Sequence, residues 1–98
     1  MTKPVKIQAN EYESGSIITF KKLDDDRLLV SVDNRLYMLS IMNRTMVKLI
    51  ENEEEFDPII SINKVRYGKS WIAILNTLRC LVIAVDIYLG TEIGKIEL

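Results

Sequence analysis

Between Arg27 and Ile50 the chain alternates short apolar runs with polar breaks: RLLVSV, then Asp33-Asn34, then RLYMLSI, then Asn43-Arg44, then TMVKLI. Runs of five to seven residues rich in β-branched and aromatic side chains, separated by residues that tolerate tight backbone turns, predict antiparallel strands joined by hairpins. A run SIITFKKL precedes this stretch, with Asp24-Asp25-Asp26 as a turn, because short Asp side chains bond neighbouring amides. The acidic connector ENEEEFDP, residues 51–58, ends the series at Pro58, which biases Asp57 away from helix. The rhythm then returns. IISINKV, WIAIL, LRCLVIAVD and IGKIEL read as strands, with turns at RYGKS, at Asn76-Thr77 and around Gly90. Residues 1–14 are polar, with Pro4 near the start, and read as an arm or an edge strand.

The expected fold class is all-β: two four-stranded antiparallel units, residues 15–50 and 59–98, joined by the connector. The alternative is a small α+β domain with helices near 45–56 and 71–89. Length alone allows those helices. However, 71–89 is dense in β-branched residues (Ile72, Ile74, Val82, Ile83, Val85, Ile87), and its apolar positions surround a helix instead of forming one stripe. The same segment is long enough to span a membrane, but Arg79 and Asp86 would each cost about 2.5–3.5 kcal/mol near the centre of a span. No membrane span is expected, and no secretory leader pattern is present at the start.

The two units can be laid on one another. Ile17-Ile18 sets against Ile59-Ile60 and Leu28-Leu29-Val30 against Trp71-Ile72-Ala73; Asn43 falls on Asp86, and Val47-Lys48-Leu49 on Ile93-Gly94-Lys95. A four-strand unit recurring every ~40–45 residues has the period of a propeller blade. On these residues the chain resembles the WD40-type β-propeller repeats, over about two blades. The resemblance rests on SIITFKKLDDDRLLVSVDNRLYMLSI, IISINKVRYGKSWIAIL and VDIYLGTEIGKIEL. The chain departs from that pattern where the family has Gly-His and Trp-Asp, so the family's Asp-His-Ser/Thr-Trp bonding network has no counterpart here. The resemblance implies strands such as RLLVSV buried on both faces. It also implies a partner, since two blades do not close a ring and at least three repeats are generally needed for stability. Three copies, or another chain supplying the missing blades, would complete it; completion by a blade from another subunit is known in the family.

Composition narrows the chemistry. The 98 residues are 48% hydrophobic and 28% charged, with net charge −1. Residues 1–58 hold eleven acids against eight bases, and residues 59–98 three against five. That balance gives no long-range pull toward nucleic acid or anionic lipid. There is no histidine, the usual general base and commonest metal ligand, and no catalytic constellation or cofactor motif emerges. The single cysteine, Cys80, lies in an apolar run and reads as a buried, inert thiol in a reducing compartment, cytoplasmic or nuclear. Asp24, Asp25 and Asp26 lack the alternate spacing of a calcium loop.

Two clusters remain as partner-binding candidates. One is basic and aromatic: Arg66, Tyr67, Lys69 and Trp71, with Lys64 nearby. Arg, Tyr and Trp are enriched at protein interfaces. The same mixture could stack bases, which is the alternative function: a nucleic-acid or regulatory domain using residues 64–71. The other cluster is acidic: Glu53, Glu54, Glu55 and Phe56. The function expected is a non-catalytic scaffold, not an enzyme, acting as a subunit of an intracellular complex. Its partner would be a protein or further copies of itself, a trimer if self-assembled.

Overall fold

The computed structural model describes residues 16–98. The proposed arm, residues 1–14, lies outside the described residues. Eight strands follow in order: β1 (Ile18–Lys22), β2 (Arg27–Val32), β3 (Arg35–Ser40), β4 (Thr45–Glu51), β5 (Ile59–Tyr67), β6 (Ser70–Thr77), β7 (Leu81–Asp86) and β8 (Thr91–Glu97). They form two antiparallel four-stranded sheets, β1-β2-β3-β4 and β5-β6-β7-β8, each a meander of sequential hairpins. The fold is all-β and the two sheets are blade-like units. No helix forms among the described residues, so the α+β alternative with helices near 45–56 and 71–89 is corrected. The physical reason is the density of β-branched side chains at 71–89, which fit a pleated surface buried in part on each side.

The sheets meet through one shared core. Leu29 and Leu36 of the first sheet pack in the same cluster as Ile59, Ile62, Ala73, Leu75, Ile83 and Val85 of the second, with Ile87 at its edge. The first strands of the two sheets, β1 and β5, lie side by side. One backbone bond and one side-chain bond reinforce the seam: Ile59 N–H donates to the Asp33 carbonyl at 2.8 Å, and Lys64 Nζ to the Leu23 carbonyl at 3.0 Å. In β2, four consecutive residues, Leu29 to Val32, are buried. A strand packed on both faces reads as a continuous apolar run, as RLLVSV does.

Turn chemistry follows the sequence with two corrections. Asp33 closes the β2–β3 hairpin at φ 52°, and Asn34 is buried, its Nδ2 donating to the Asn52 carbonyl at 2.7 Å. The expected turn at Asn76-Thr77 is instead the end of β6; the chain reverses at Leu78–Cys80, where Cys80 takes φ 67°. Asn76 is held in the strand by its Ser61 bond at 2.9 Å and by pairing with Val82. Cys80 is exposed on that turn, so the expectation of a buried thiol is corrected too. An apolar neighbourhood in sequence did not place it inside, because the hairpin reverses at that residue.

Candidate interaction groove

The turns sort onto two rims. One rim carries the β1–β2, β3–β4, β5–β6 and β7–β8 turns; the other carries the β2–β3 and β6–β7 turns and the 52–58 connector. On the first rim a groove opens along the seam between the sheets. It consists of three adjoining cavities of ≈ 400, 300 and 140 Å³ that share Ile87 in their walls.

Trp71 forms one wall. The β5–β6 hairpin turns at Gly68, at φ 63°, and sets Arg66 directly opposite Trp71. Lys64, two residues earlier on the same face, completes the arrangement. The Lys64 ammonium lies 5.0 Å and the Arg66 guanidinium 5.1 Å from the indole centroid, both within cation–π range. Lys64 also bonds Leu23 across the seam, so the indole is fixed to both sheets. Trp71 keeps 40% of its surface exposed.

The facing wall comes from the first sheet. Arg27 donates to Asp24 Oδ2 through Nε at 2.9 Å and Nη2 at 2.8 Å. Asp24 Oδ1 accepts the amides of Asp26 and Arg27. These bonds, the Arg27 side chain first, hold the Asp24 carboxyl down at about 2, well below its usual range. The three aspartates therefore diverge. Asp24 binds Arg27, Asp25 reaches Lys22 at 3.5 Å, and Asp26 accepts from Ser40 Oγ at 2.8 Å and the Met42 amide at 2.6 Å. Among the described residues no three His, Cys, Asp or Glu side chains cluster as metal ligands. The floor is the β7–β8 turn, where Asp86 Oδ1 accepts the Leu89 amide at 2.8 Å; it displays Tyr88 almost fully and Leu89 largely to solvent.

Of the expected site residues, Arg66, Lys69 and Trp71 come together at this rim. Tyr67 is adjacent in sequence but alternates onto the other face of β5, and is exposed there. Glu53, Glu54, Glu55 and Phe56 stand on the opposite rim, because the connector enters β5 at one end and the Arg66–Trp71 hairpin leaves it at the other. Nine strand residues separate them by roughly 27 Å at ~3.3 Å per residue. Arg27, Ile87, Tyr88 and Leu89 also belong to the groove and were not singled out in the sequence. Laying the two units on each other would have found them, since that places the β1–β2, β5–β6 and β7–β8 turns on one rim.

The opposite rim is organised by Asp57, a buried carboxylate. Its Oδ2 accepts from Thr77 Oγ1 at 2.7 Å and its Oδ1 from the Arg79 amide at 2.7 Å. Thr77 Oγ1 in turn accepts the Leu81 amide at 3.1 Å. Asn52, also buried, donates to the Asp57 carbonyl at 3.0 Å. These contacts order the connector and the β6–β7 turn together.

No family model matches the sequence, and comparisons with curated proteins and with solved structures returned no match. No helix among the described residues is long and apolar enough to cross a membrane.

Proposed function

We propose that the protein is a non-catalytic interaction scaffold, a pair of propeller-like blades completed by further blades from copies of itself or from another chain. One observation carries this reading: the outward face of the second sheet holds an apolar cluster that no described residue buries. By strand register, Val65, Ile72, Ile74, Val82, Ala84 and Ile96 share that face. None of them is buried, although β6 and β7 are the central strands of the sheet. On the inward face of the same strands, Ala73, Leu75, Ile83 and Val85 are fully buried against the first sheet. On the outward face, Ser61, Asn63, Asn76 and Asp86 are set among the apolar residues, so the surface is a mixed one with an apolar cluster that a partner would cover. On the outward face of the first sheet, Phe20 of β1 is 61% exposed and Ile18 40%, whereas Val30 and Val32 beside them are buried. A further blade on the second sheet's outward face would bury the apolar cluster there as the two existing blades bury theirs.

The mass in solution tests this. Light scattering behind a sizing column should give a mass near three times 11.3 kDa for a ring of three chains. A chain awaiting a partner would run as a monomer that takes up an apolar dye. A stable monomer with no dye uptake would overturn the proposal.

A further inference from the structure

The two clusters are opposite in charge, and they sit on opposite rims. Around the Trp71 groove stand four cations, Arg27, Lys64, Arg66 and Lys69, against two acids, Asp24 and Asp86. Asp24 and Arg27 neutralise each other, which leaves Lys64, Arg66 and Lys69 against Asp86. The ≈ 400 Å³ cavity beside Trp71 lies at the low end of the range of small-molecule pockets, about 300–1,000 Å³, and so has room for one aromatic side chain. On the other rim, Glu53, Glu54 and Glu55 are exposed and Phe56 is 80% exposed at the tip of the connector. This tip is pre-organised. The Glu54 amide donates to Asn52 Oδ1 at 3.4 Å, the Asp57 amide to the Glu54 carbonyl at 3.1 Å, and buried Asn52 and Asp57 anchor both ends. An ordered loop loses less conformational freedom on docking than a free tail.

We infer that the groove at Trp71 is a docking site for the acidic connector of a second copy of this chain, with Phe56 entering the cavity beside the indole and Glu53–Glu55 facing Arg66 and Lys69. The two surfaces cannot meet within one molecule, because β5 holds them apart. Donor and acceptor are different surfaces on opposite rims, so the contact is heterologous: it leaves one free surface of each kind at the ends of an open assembly and none in a closed ring. It runs rim to rim, whereas blade completion runs face to face, so the two associations are independent. Exposed charges carry much of the recognition, and screening over a Debye length of ~8 Å at physiological salt makes it salt-sensitive.

Trp71 is the only tryptophan, so its emission reports the groove directly. The experiment titrates a synthetic peptide, ENEEEFDP, into the full chain. Saturable blue-shifted Trp71 emission is expected, weakening on the order of tenfold from low to high salt. A peptide carrying Phe56→Ala should bind at least about tenfold more weakly, as should the native peptide to a chain carrying Arg66→Glu and Lys69→Glu. Both altered residues are exposed, and circular dichroism checks that the variant is folded. A peptide with Glu53→Lys, Glu54→Lys and Glu55→Lys should restore binding to that variant. No change in Trp71 emission, equal binding of the Phe56→Ala peptide, or no recovery by the reversed-charge pair would each overturn the inference. Equal binding of an acidic peptide of scrambled order would also overturn it, by showing that any acidic segment occupies the groove.

Discussion

The Thr77 hydroxyl donates to the buried Asp57 carboxylate at 2.7 Å, and the Asp57 carboxylate also receives the Arg79 amide two residues beyond Thr77. The first sheet repeats this clasp on the opposite rim: Ser40 Oγ donates to Asp26 at 2.8 Å, and Asp26 receives the Met42 amide two residues beyond Ser40. In each case an aspartate just ahead of one strand grips a hydroxyl at the end of its antiparallel neighbour and the turn that follows. Charge-assisted hydrogen bonds of this kind are the stronger ones, and a buried donor left unpaired carries its full desolvation cost. Asp57→Ala is therefore expected to lower stability by about 2–3 kcal/mol, and Asp26→Ala, at a half-buried site, by about 1–2 kcal/mol. Urea unfolding measures both; equal, negligible effects would show the clasp to be incidental.

Ser31 presents the reverse case. It is fully buried on the inward face of β2, and its hydroxyl has no hydrogen-bond partner among the described residues. Its desolvation is uncompensated, so Ser31→Ala should leave stability unchanged or raise it by up to about 1 kcal/mol. A loss of more than that in the same unfolding experiment would reveal a bond or a packing role for the hydroxyl.

Gly90 closes the β7–β8 turn at φ 67°, and a Cβ there would lie 3.2 Å from Leu49 Cδ2. Gly90→Ala meets both a left-handed backbone and a tight neighbour from the other sheet, and should cost at least about 1 kcal/mol. Cys80 is the converse: it occupies φ 67° with a Cβ, on an exposed turn. Its turn bonds use backbone atoms only, the Cys80 amide to the Thr77 carbonyl and the Leu98 amide to the Cys80 carbonyl. Cys80→Gly should thus preserve the turn and shift stability by less than about 1 kcal/mol, with thermal unfolding as the check.

Two carboxylates set the acid response. Asp24 is held at about 2 by Arg27, and Glu51 is lowered first by Lys48 and then by Arg35. A carboxylate lowered in the folded state contributes stability that is complete above its unfolded pKa, near 4, and is lost as pH falls through the folded value. Their contributions should be flat from pH 7 down to about 4.5 and fall away toward pH 2. Asp24→Asn should flatten the acid limb of a stability-versus-pH curve; an unchanged limb would refute the assignment. Both groups are exposed, so the effect is modest and salt-sensitive.

The outward face of the second sheet gives a direct test of assembly. Ile74 sits at its centre, paired with Asn63 and Ala84. Ile74→Asp places a charge where a further blade would pack. In an assembled sample it should shift the scattering mass toward 11.3 kDa without changing the circular dichroism spectrum. An unchanged mass would place the assembly contacts elsewhere.

The sequence by itself determined the strands and their order. Apolar runs such as RLLVSV and WIAIL, cut by Asp33-Asn34 and Gly68, admit few alternatives once the β-branched residues are counted, because hairpin pairing is local. It also marked Trp71 with its cations and the acidic connector as separate surfaces. Only the tertiary structure decided which of them share a site. Arg27 and Tyr88 lie 61 positions apart in the chain yet line one cavity beside Trp71, because stacking two meanders brings alternate turns to one rim. The same stacking put Glu53–Phe56 at the far end of β5 from Arg66, although only ten residues separate Phe56 from Arg66 in sequence. Residue burial was settled the same way. Asp57 is polar and lies in a charged connector, yet it is buried, while Cys80 lies in an apolar run and is exposed. Local pattern specifies pairing within a sheet; what a residue meets across the seam depends on how the second sheet covers the first.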